Sequence, residues 1–551
     1  MRFIYYIVVL AIFVWSQLYW GMPTFRWGFN GLPMMLLFLA GVVFVLERNW
    51  HSKRSGNVSK ALKIPSILLV LSAFFALIIP FVTSWSAFRA DDYRNLVGEV
   101  KIGESFADDV APISIDKIRI VDQELAYRLG DKVLGSEPSL GSQAHLGTFR
   151  IQKVNGEFVW VAPLIHSGIF KWWNNKEGAN GYVVVSATNE RDVRLVQKIG
   201  ETPIKIKYQP GGFAGDFLPR HIYFNGYMTQ GFTDYTFEID DKGMPFWVVS
   251  LYDKKVGFGG SDVIGVLTVD AMSGDIKEYS IEEAPIWLDR IQPKKFVQRQ
   301  LDDWGEFVHG WWNPSNEEKL TTTNGMSLVY DQNDRSYWYT GLTSVGSDQG
   351  TVGFLLVDTR TKETTWYKQI GATEQAAMSS AEGKVQEKGY QASFPVTYNI
   401  NGAPTYVMPL KDRAGLIKMV SMVSVQDYSI VAVGADLNEA VRAYKNELNS
   451  SGNEISPTNN STKFKINSTI NRLSTDVKSG NTFYYMTLSG YPHKVFIITS
   501  AISDEIPITQ AGDSVLVTYD DGKTKTVDIV DFDNLEISAQ KTDGAEIKKM
   551  E

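Results

Sequence analysis

The chain has 551 residues, a net charge of −8 and 44% hydrophobic residues. That length asks for several domains, and that charge excludes a general attraction to nucleic acid or anionic lipid. Cysteine is absent and the six histidines include no pair at metal-ligand spacing, which excludes disulfides, thiolate metal sites, iron–sulfur clusters and a thiol nucleophile.

Three apolar runs open the chain, at 3–20, 32–46 and 64–88. A helix needs about 20 apolar residues to cross the hydrocarbon layer. The first and third runs meet that length, and the second is the shortest. Tyr19, Trp20, Trp27, Trp50 and Trp85 sit at the ends of these runs, where interfacial aromatics belong. The loop between the second and third runs carries Arg48, Lys53, Arg54, Lys60 and Lys63 against one acid, Glu47. The loop between the first and second has only Arg26. By the positive-inside rule the basic loop and the N-terminus are cytoplasmic, and everything after Phe88 lies outside. Residues 1–90 therefore read as a three-helix anchor in the cell (inner) membrane, with the lipid bilayer as first partner. A cleaved signal peptide is the rival reading of the first run. No small-residue cleavage site follows it, and two more runs do.

From Ile113 onward helix and strand patterns alternate. One theme recurs four times: a turn, a strand with an aromatic near its middle, then a second strand ending near a polar residue. The copies are 155–161 with 181–186, 242–249 with 264–270, 333–339 with 352–358, and 401–407 with 418–425. Asn155-Gly156, Lys242-Gly243 and Asn401-Gly402 supply the positive φ that tight hairpins require. Amphipathic helices are expected at 116–134, 284–308, 372–388 and 437–448, the last opening at Asp436 as N-cap. The segments 91–240 and 241–448 thus read as extracytoplasmic α+β regions, with sheet on one side and helices on the other. Residues 449–462 are rich in Ser, Asn, Gly and Pro and read as a linker. Residues 463–537 hold five short β patterns, and 538–551 form a charged tail expected to be disordered.

The α+β theme resembles PepSY-like modules, in which a helix precedes antiparallel strands and a strand ends in a D-x-x-T/S-G turn. Asp270-Ala271-Met272-Ser273-Gly274 carries that turn, Asp358-Thr359-Arg360-Thr361 carries it without the glycine, and the other two copies lack it. The five β patterns around Gly512-Asp513-Ser514-Val515-Leu516-Val517 resemble a small OB-like barrel. The layout of spans plus such a region also resembles multi-pass membrane proteins of bacteria and their phages that offer no catalytic residues to carry over. PepSY resemblance implies a regulator or inhibitor of envelope proteolysis.

Two segments echo each other: His166 to Asn175, with Trp172 and Trp173, and His309 to Pro314, with Trp311 and Trp312. Paired tryptophans beside asparagine suit an interaction surface for a protein or an envelope polymer, or the bland task of stapling helices to the sheet. Asp302, Asp303 and Glu306 are read as one helix face, solvated or cation-binding. The Gly257–Asp262 stretch lacks calcium-loop spacing and reads as a turn. Thr343 to Asp348 offers hydroxyls without a nucleophile elbow or a triad histidine. P-loop and dinucleotide fingerprints are missing too. The barrel offers Phe483, Tyr484 and Tyr485, but its later half is acidic and outside the cell, so nucleic acid is not an expected partner. The expectation is a non-enzymatic envelope protein without cofactor or metal that binds or scaffolds proteins or envelope components. An envelope hydrolase using paired carboxylates is the alternative of another class.

Overall fold

The computed structural model describes residues 2–52, 62–104, 106, 110, 112–331, 335–346, 350–400, 402–451, 463–478, 481–500, 502–520 and 525–537. The chain is mixed α+β and divides into two units, Met1–Ser105 with Asp116–Thr373, and Phe106–Ile115 with Glu374–Glu551.

In the first unit, helical stretches Phe3–Gly21, Gly31–His51 and Lys63–Ser84 are each long and apolar enough to cross a membrane. The second is longer than its apolar run, because the helix continues through Glu47 to Ser52. His51 lies 3.4 Å from Glu47 one turn earlier. In the third, Pro80 supplies no N–H, and the turn before it, Phe74–Ile78, is widened. Phe3, Ile4, Ile64, Ile67, Val70, Leu71, Phe74 and Phe81 point outward. An apolar stripe of that size calls for lipid rather than water. Of the five basic residues that set the expected orientation, Lys53, Arg54 and Lys60 lie outside the described residues.

Three four-stranded antiparallel meanders follow. Their strands are Arg150–Val154, Glu157–His166, Tyr182–Ser186 and Val193–Val196; then Gly231–Ile239, Pro245–Val256, Gly259–Asp270 and Ile276–Tyr279; then Ser327–Tyr330, Ser336–Ser344, Gly353–Asp358 and Thr364–Tyr367. Each pairs first to second, second to third and third to fourth. The first sheet gains Ala144–Leu146, and the third gains Val100–Gly103 and Leu320–Thr322. The Asn155-Gly156 turn has φ of 50° and 83°, the mirror-image turn that matches strand twist.

The meanders agree hydrogen bond for hydrogen bond. Where the third strand ends, its last residue accepts from the turn it starts. Asp270 Oδ1 accepts from Met272 N at 2.8 Å and Ser273 N at 3.0 Å. Asp358 Oδ1 accepts from Arg360 N and Thr361 N, both at 2.8 Å. Ser186 Oγ accepts from Thr188 N at 3.3 Å and Asn189 N at 3.2 Å. The next residue's carbonyl, Ala187, Ala271 or Thr359, accepts two successive backbone N–H groups from the segment that precedes its unit. These come from Ile120 and Val121, Lys207 and Tyr208, and Ile291 and Gln292. The second donor of each pair is itself clasped: Trp160, Trp247 and Trp338 donate their indole N–H to the carbonyls of Val121, Tyr208 and Gln292 at 2.8, 2.7 and 3.1 Å.

This clasp corrects two helix expectations. The helix expected over 116–134 covers Gln123–Gly135, and the one expected over 284–308 covers Lys294–Glu306. The residues ahead of each spend their N–H groups on the turn carbonyl and cannot also continue a helix. Asp122 caps the first, accepting from Leu125 N at 2.9 Å. Pro293 precedes the second.

The second unit holds a fourth meander of Val396–Ile400, Ala403–Lys411, Ile417–Ser424 and Val431–Gly434, behind helix Glu374–Lys384. Tyr406 takes the tryptophan position, opposite Val423, just as Trp247 faces Val269. Ser424 Oγ accepts from Asp427 N at 3.3 Å. Helix Leu437–Ser450 opens on Asp436, which accepts from Glu439 N at 2.9 Å. It runs to Ser450, two residues into the segment read as a linker, whose 452–462 portion lies outside the described residues. Strands Lys463–Lys478, Asn481–Leu488, Val495–Thr499, Ser514–Asp520 and Thr526–Asn534 then close a barrel in the order first, second, third, fifth, fourth. Phe496, Ile498, Val515, Val517 and Ile529 fill its interior. Residues 538–551 lie outside the described residues.

Candidate functional site

The first unit keeps one meander tip against the ends of the apolar helices. Gly257 has φ 59°, and a Cβ there would come within 2.5 Å of the Thr83 carbonyl, so the hairpin tip can approach only without a side chain. Phe258 N donates to Ser84 Oγ at 2.7 Å, and Trp27 meets the Phe258 ring edge-on at 5.2 Å. Arg26 pairs with Asp253 at 2.6 Å and Phe25 N reaches the Met228 carbonyl at 2.8 Å. The end of the third helix and the 22–30 loop therefore face the same meander.

Both tryptophan pairs lie near those helix ends. Trp311 packs on Trp85, directly after the third helix, with ring centroids 6.2 Å apart, and on Trp312 at 5.6 Å. Trp312 is 75% exposed and neighbouring Phe88 is 68% exposed. Trp172 is buried, packs on Phe213 and donates its indole N–H to Asp216 at 2.7 Å. The same loop reaches the first helix through Arg220. That guanidinium donates to the Ala214 carbonyl at 2.7 Å and the Tyr19 carbonyl at 3.0 Å, and stacks 3.9 Å over the Tyr19 ring. Phe170 and Trp173 on the short helix Ile169–Asn174 remain outward, with Lys176 4.2 Å over the Trp173 ring.

Beside Trp85 opens a cavity of about 600 Å³, between the exit of the third helix and helix Lys294–Glu306. Phe81, Trp85, Leu96, Phe296 and Phe307 supply its apolar wall, and Lys295 and Arg299 stand exposed at its rim. Gln300 and Asp303 are buried in it. Gln300 spends its amide N–H on Ser261 O at 2.8 Å and Asp262 at 3.2 Å, while its Oε1 is buried with no hydrogen-bond donor. Asp303 Oδ1 lies 3.0 Å from Arg299 Nη2, outside hydrogen-bond geometry. Burial raises the Asp303 pKa to about 6, against the lowering effect of Arg299.

The run read as one acidic face is split. Asp302 turns to the sheet and accepts from Thr322 N at 2.9 Å and from the hydroxyls of Thr321 and Thr322, whereas Asp303 faces the cavity. Consecutive helical residues point about 100° apart, so the two carboxylates do not converge. No group of three or more metal-ligating side chains occurs among the described residues. Of the Gly257–Asp262 stretch, Gly257 and Phe258 form the hairpin turn, and Gly259 to Asp262 already belong to the strand that follows it. Of Thr343 to Asp348, Ser347 and Asp348 lie outside the described residues, and Thr343 donates to the Gly350 carbonyl at 2.9 Å.

A second charged cluster ties the three meanders together. Asp289 accepts from Lys153 N at 2.8 Å and Tyr330 Oη at 3.0 Å, and its carbonyl accepts the hydroxyls of Ser336 and Thr359. Glu238, with no exposed surface, lies 3.6 Å from Arg290. Burial pushes Glu238 up to about 7 and Asp289 up to about 6. These groups are sealed from solvent and read as structural. Of the Lys295, Arg299, Gln300 and Asp303 set, only Asp303 was singled out from sequence, as part of the acidic run. The set's one available signal was Arg299 and Asp303 at helical spacing.

No family model matches the chain, and no curated protein matches it. Solved structures it is similar to include Bacillus subtilis levansucrase in complex with oligosaccharides, at 9% identity and TM-score 0.16, covering 81% of this chain and 94% of that one. Another is a putative hydrolase from Bacteroides ovatus, at 10% identity and TM-score 0.14, covering 80% and 81%. At those scores neither bears on the fold or the activity.

Proposed function

We propose that this protein is a non-enzymatic scaffold of the cell envelope, held by three N-terminal spans with its N-terminus in the cytoplasm and its large region outside. The observation that carries this reading is the shared clasp. Repeats that reuse one turn, one tryptophan and one register extend a surface rather than build a single reaction centre. The Asp270 and Asp358 turns, with serine doing the same work at Ser186 and Ser424, support PepSY-like units. The barrel's strand order, with its parallel third and fifth strands, supports an OB-like fold. Arg48 and Lys63 flanking the second and third spans support the orientation.

In this reading the exposed members of the tryptophan pairs, Trp173 and Trp312, seat the body on the outer face of the same bilayer. The other faces are left for protein or envelope-polymer partners. A phosphatase reporter fused after Leu448 should be active outside the cell; a cytoplasmic result removes the reading. Cross-linked pull-down from native membranes should recover a defined envelope partner. Recovery of a protease would favour the second reading, a PepSY-type regulator of proteolysis, which the shared D-x-x-S/T turn supports.

A further inference from the structure

We infer that the surface around the short helix Ile169–Asn174 binds the headgroups of anionic phospholipids, whereas the surface around Trp312 takes lipid without regard to its charge. The inference rests on the reading of 3–21 and 63–84 as spans with Trp173 and Trp312 seated at the interface, and it adds which lipid the first of those two seats selects.

The first seat combines the two chemistries of an interfacial anchor. Phe170 is 81% exposed and Trp173 64% exposed, with Ile169 outward beside them. Such a cluster is unfavourable against water and favourable at the boundary of headgroups and acyl chains. Its level is set by the first apolar helix: Trp172 packs on Phe213 and donates to Asp216, and Arg220, four residues on, stacks over Tyr19 at that helix end. The charges around it sort into partners and a remainder. Glu177 lies 3.6 Å from Lys205, Asp216 accepts the Trp172 indole, and the Arg220 guanidinium is spent on two carbonyls. Lys171 and Lys176 are exposed and have no ion-pair partner among the described residues. Lys176, 4.2 Å over the Trp173 ring, holds its cation beside the ring, so the ring can insert while the ammonium meets a phosphate. The negative charge of the whole chain does not oppose this, because charges farther than about 8 Å are screened at physiological ionic strength. At the second seat the cations are mostly spent: Arg89 on Asp92, Arg94 on the Trp304 carbonyl and Arg299 on Asp303. Lys295 there is outnumbered by exposed Asp91 and Glu306.

The test uses the full chain, which has no cysteine, so that Phe170→Cys, Trp312→Cys or Glu190→Cys alone takes a fluorophore. Position 190 is the water-side reference: it follows Ser186, which pairs with Val159, and so lies at the end of the first sheet away from His166. Each labelled chain is placed in nanodiscs of phosphatidylcholine containing a minor fraction of doxyl-labelled phosphatidylglycerol or doxyl-labelled phosphatidylcholine, and quenching reads which lipid surrounds the label. Labels at 170 and 312 should be quenched and the label at 190 should not. At 170 phosphatidylglycerol should quench as if concentrated at least about fivefold over phosphatidylcholine, the factor of one lysine at an anionic surface. At 312 the two lipids should quench alike. Lys171→Gln with Lys176→Gln should bring the ratio at 170 down to that at 312 while leaving the quenching by phosphatidylcholine. Salt at about 1 M, where the screening length falls to about 3 Å, should do the same. A label at 170 that is no more quenched than at 190, as when this surface holds an envelope polymer instead, overturns the inference. So does equal quenching by the two lipids at 170, or a ratio that survives the lysine substitutions. Failure of the span reading is separately visible: the protein would then leave the membrane fraction on carbonate extraction, whereas loss of lipid selection alone would not release it.

Discussion

The second and third meanders close their turns with aspartate, and the first and fourth close theirs with serine. Asp270 and Asp358 hold two backbone N–H groups at 2.8–3.0 Å, whereas Ser186 holds its two at 3.2–3.3 Å and Ser424 holds Asp427 N at 3.3 Å. The turn is the same, but a carboxylate is a charged acceptor and a hydroxyl a neutral one. The comparison teaches that the repeat is defined by which backbone groups must be satisfied, and that more than one side chain can satisfy them. The tryptophan clasp shows a similar gradation, since Trp247 and Trp338 are buried and Trp160 is half-buried.

The sharpest way to break the comparison is to remove a clasp. Trp338→Ala should destabilise the first unit by about 3–5 kcal/mol, through the lost aromatic volume and an orphaned Gln292 carbonyl. Thermal melting of the detergent-solubilised protein would read it, and Trp160→Ala should cost clearly less. If the two cost the same, the clasp is not graded by burial.

The charged cluster between the meanders predicts a pH dependence. Glu238 is raised from its ordinary 4.5 to about 7, so the folded chain keeps a proton that the unfolded chain has released. Its contribution to stability is complete below about pH 4.5 and is lost as pH rises through 7. The loss is on the order of 3 kcal/mol. Urea midpoints followed from pH 5 to 8 should fall more steeply in the wild type than in Glu238→Gln. Parallel slopes would remove Glu238 as the cause.

Smaller effects test the turns directly. Asp358→Ala should cost about 2 kcal/mol, since Asp358 also receives Arg335. Asp270→Ala should cost about 1–2 kcal/mol, and Ser186→Ala about 0.5–1 kcal/mol. Ser186→Asp should recover or exceed wild-type stability if the carboxylate is the better turn acceptor. An unchanged or lower melting temperature for Ser186→Asp would mean that the first turn is shaped for a hydroxyl.

Much of the strand pattern was legible because Asn155-Gly156 and the alternating Val183 and Val185 are local signals. The PepSY-like turn was legible only where aspartate stood. Ser186 and Ser424 were missed because serine at a strand end carries no distinctive pattern until its acceptor role is visible. Helix starts were misread at 116–122 and 284–293, where apolar periodicity continued into residues whose N–H groups are committed to Ala187 and Thr359. The cavity was invisible for a stronger reason. Phe81, Tyr93, Gly260 and Asp303 are far apart in sequence, and no local rule brings them together.

By itself the sequence determined the three apolar helices, the asymmetry of basic residues around them, and the alternation of strands through the rest of the chain. Each of these depends on residues adjacent in the chain or one helical turn apart, and the physics of partitioning and backbone pairing acts at that range. Only the tertiary structure decided that four turns with different residues are one turn, that both tryptophan pairs lie near the ends of the apolar helices, and that a buried glutamine and aspartate line a cavity beside Trp85. Those facts depend on which distant backbone carbonyls and side chains are left needing a partner once the chain is packed, and that is settled by the whole fold at once.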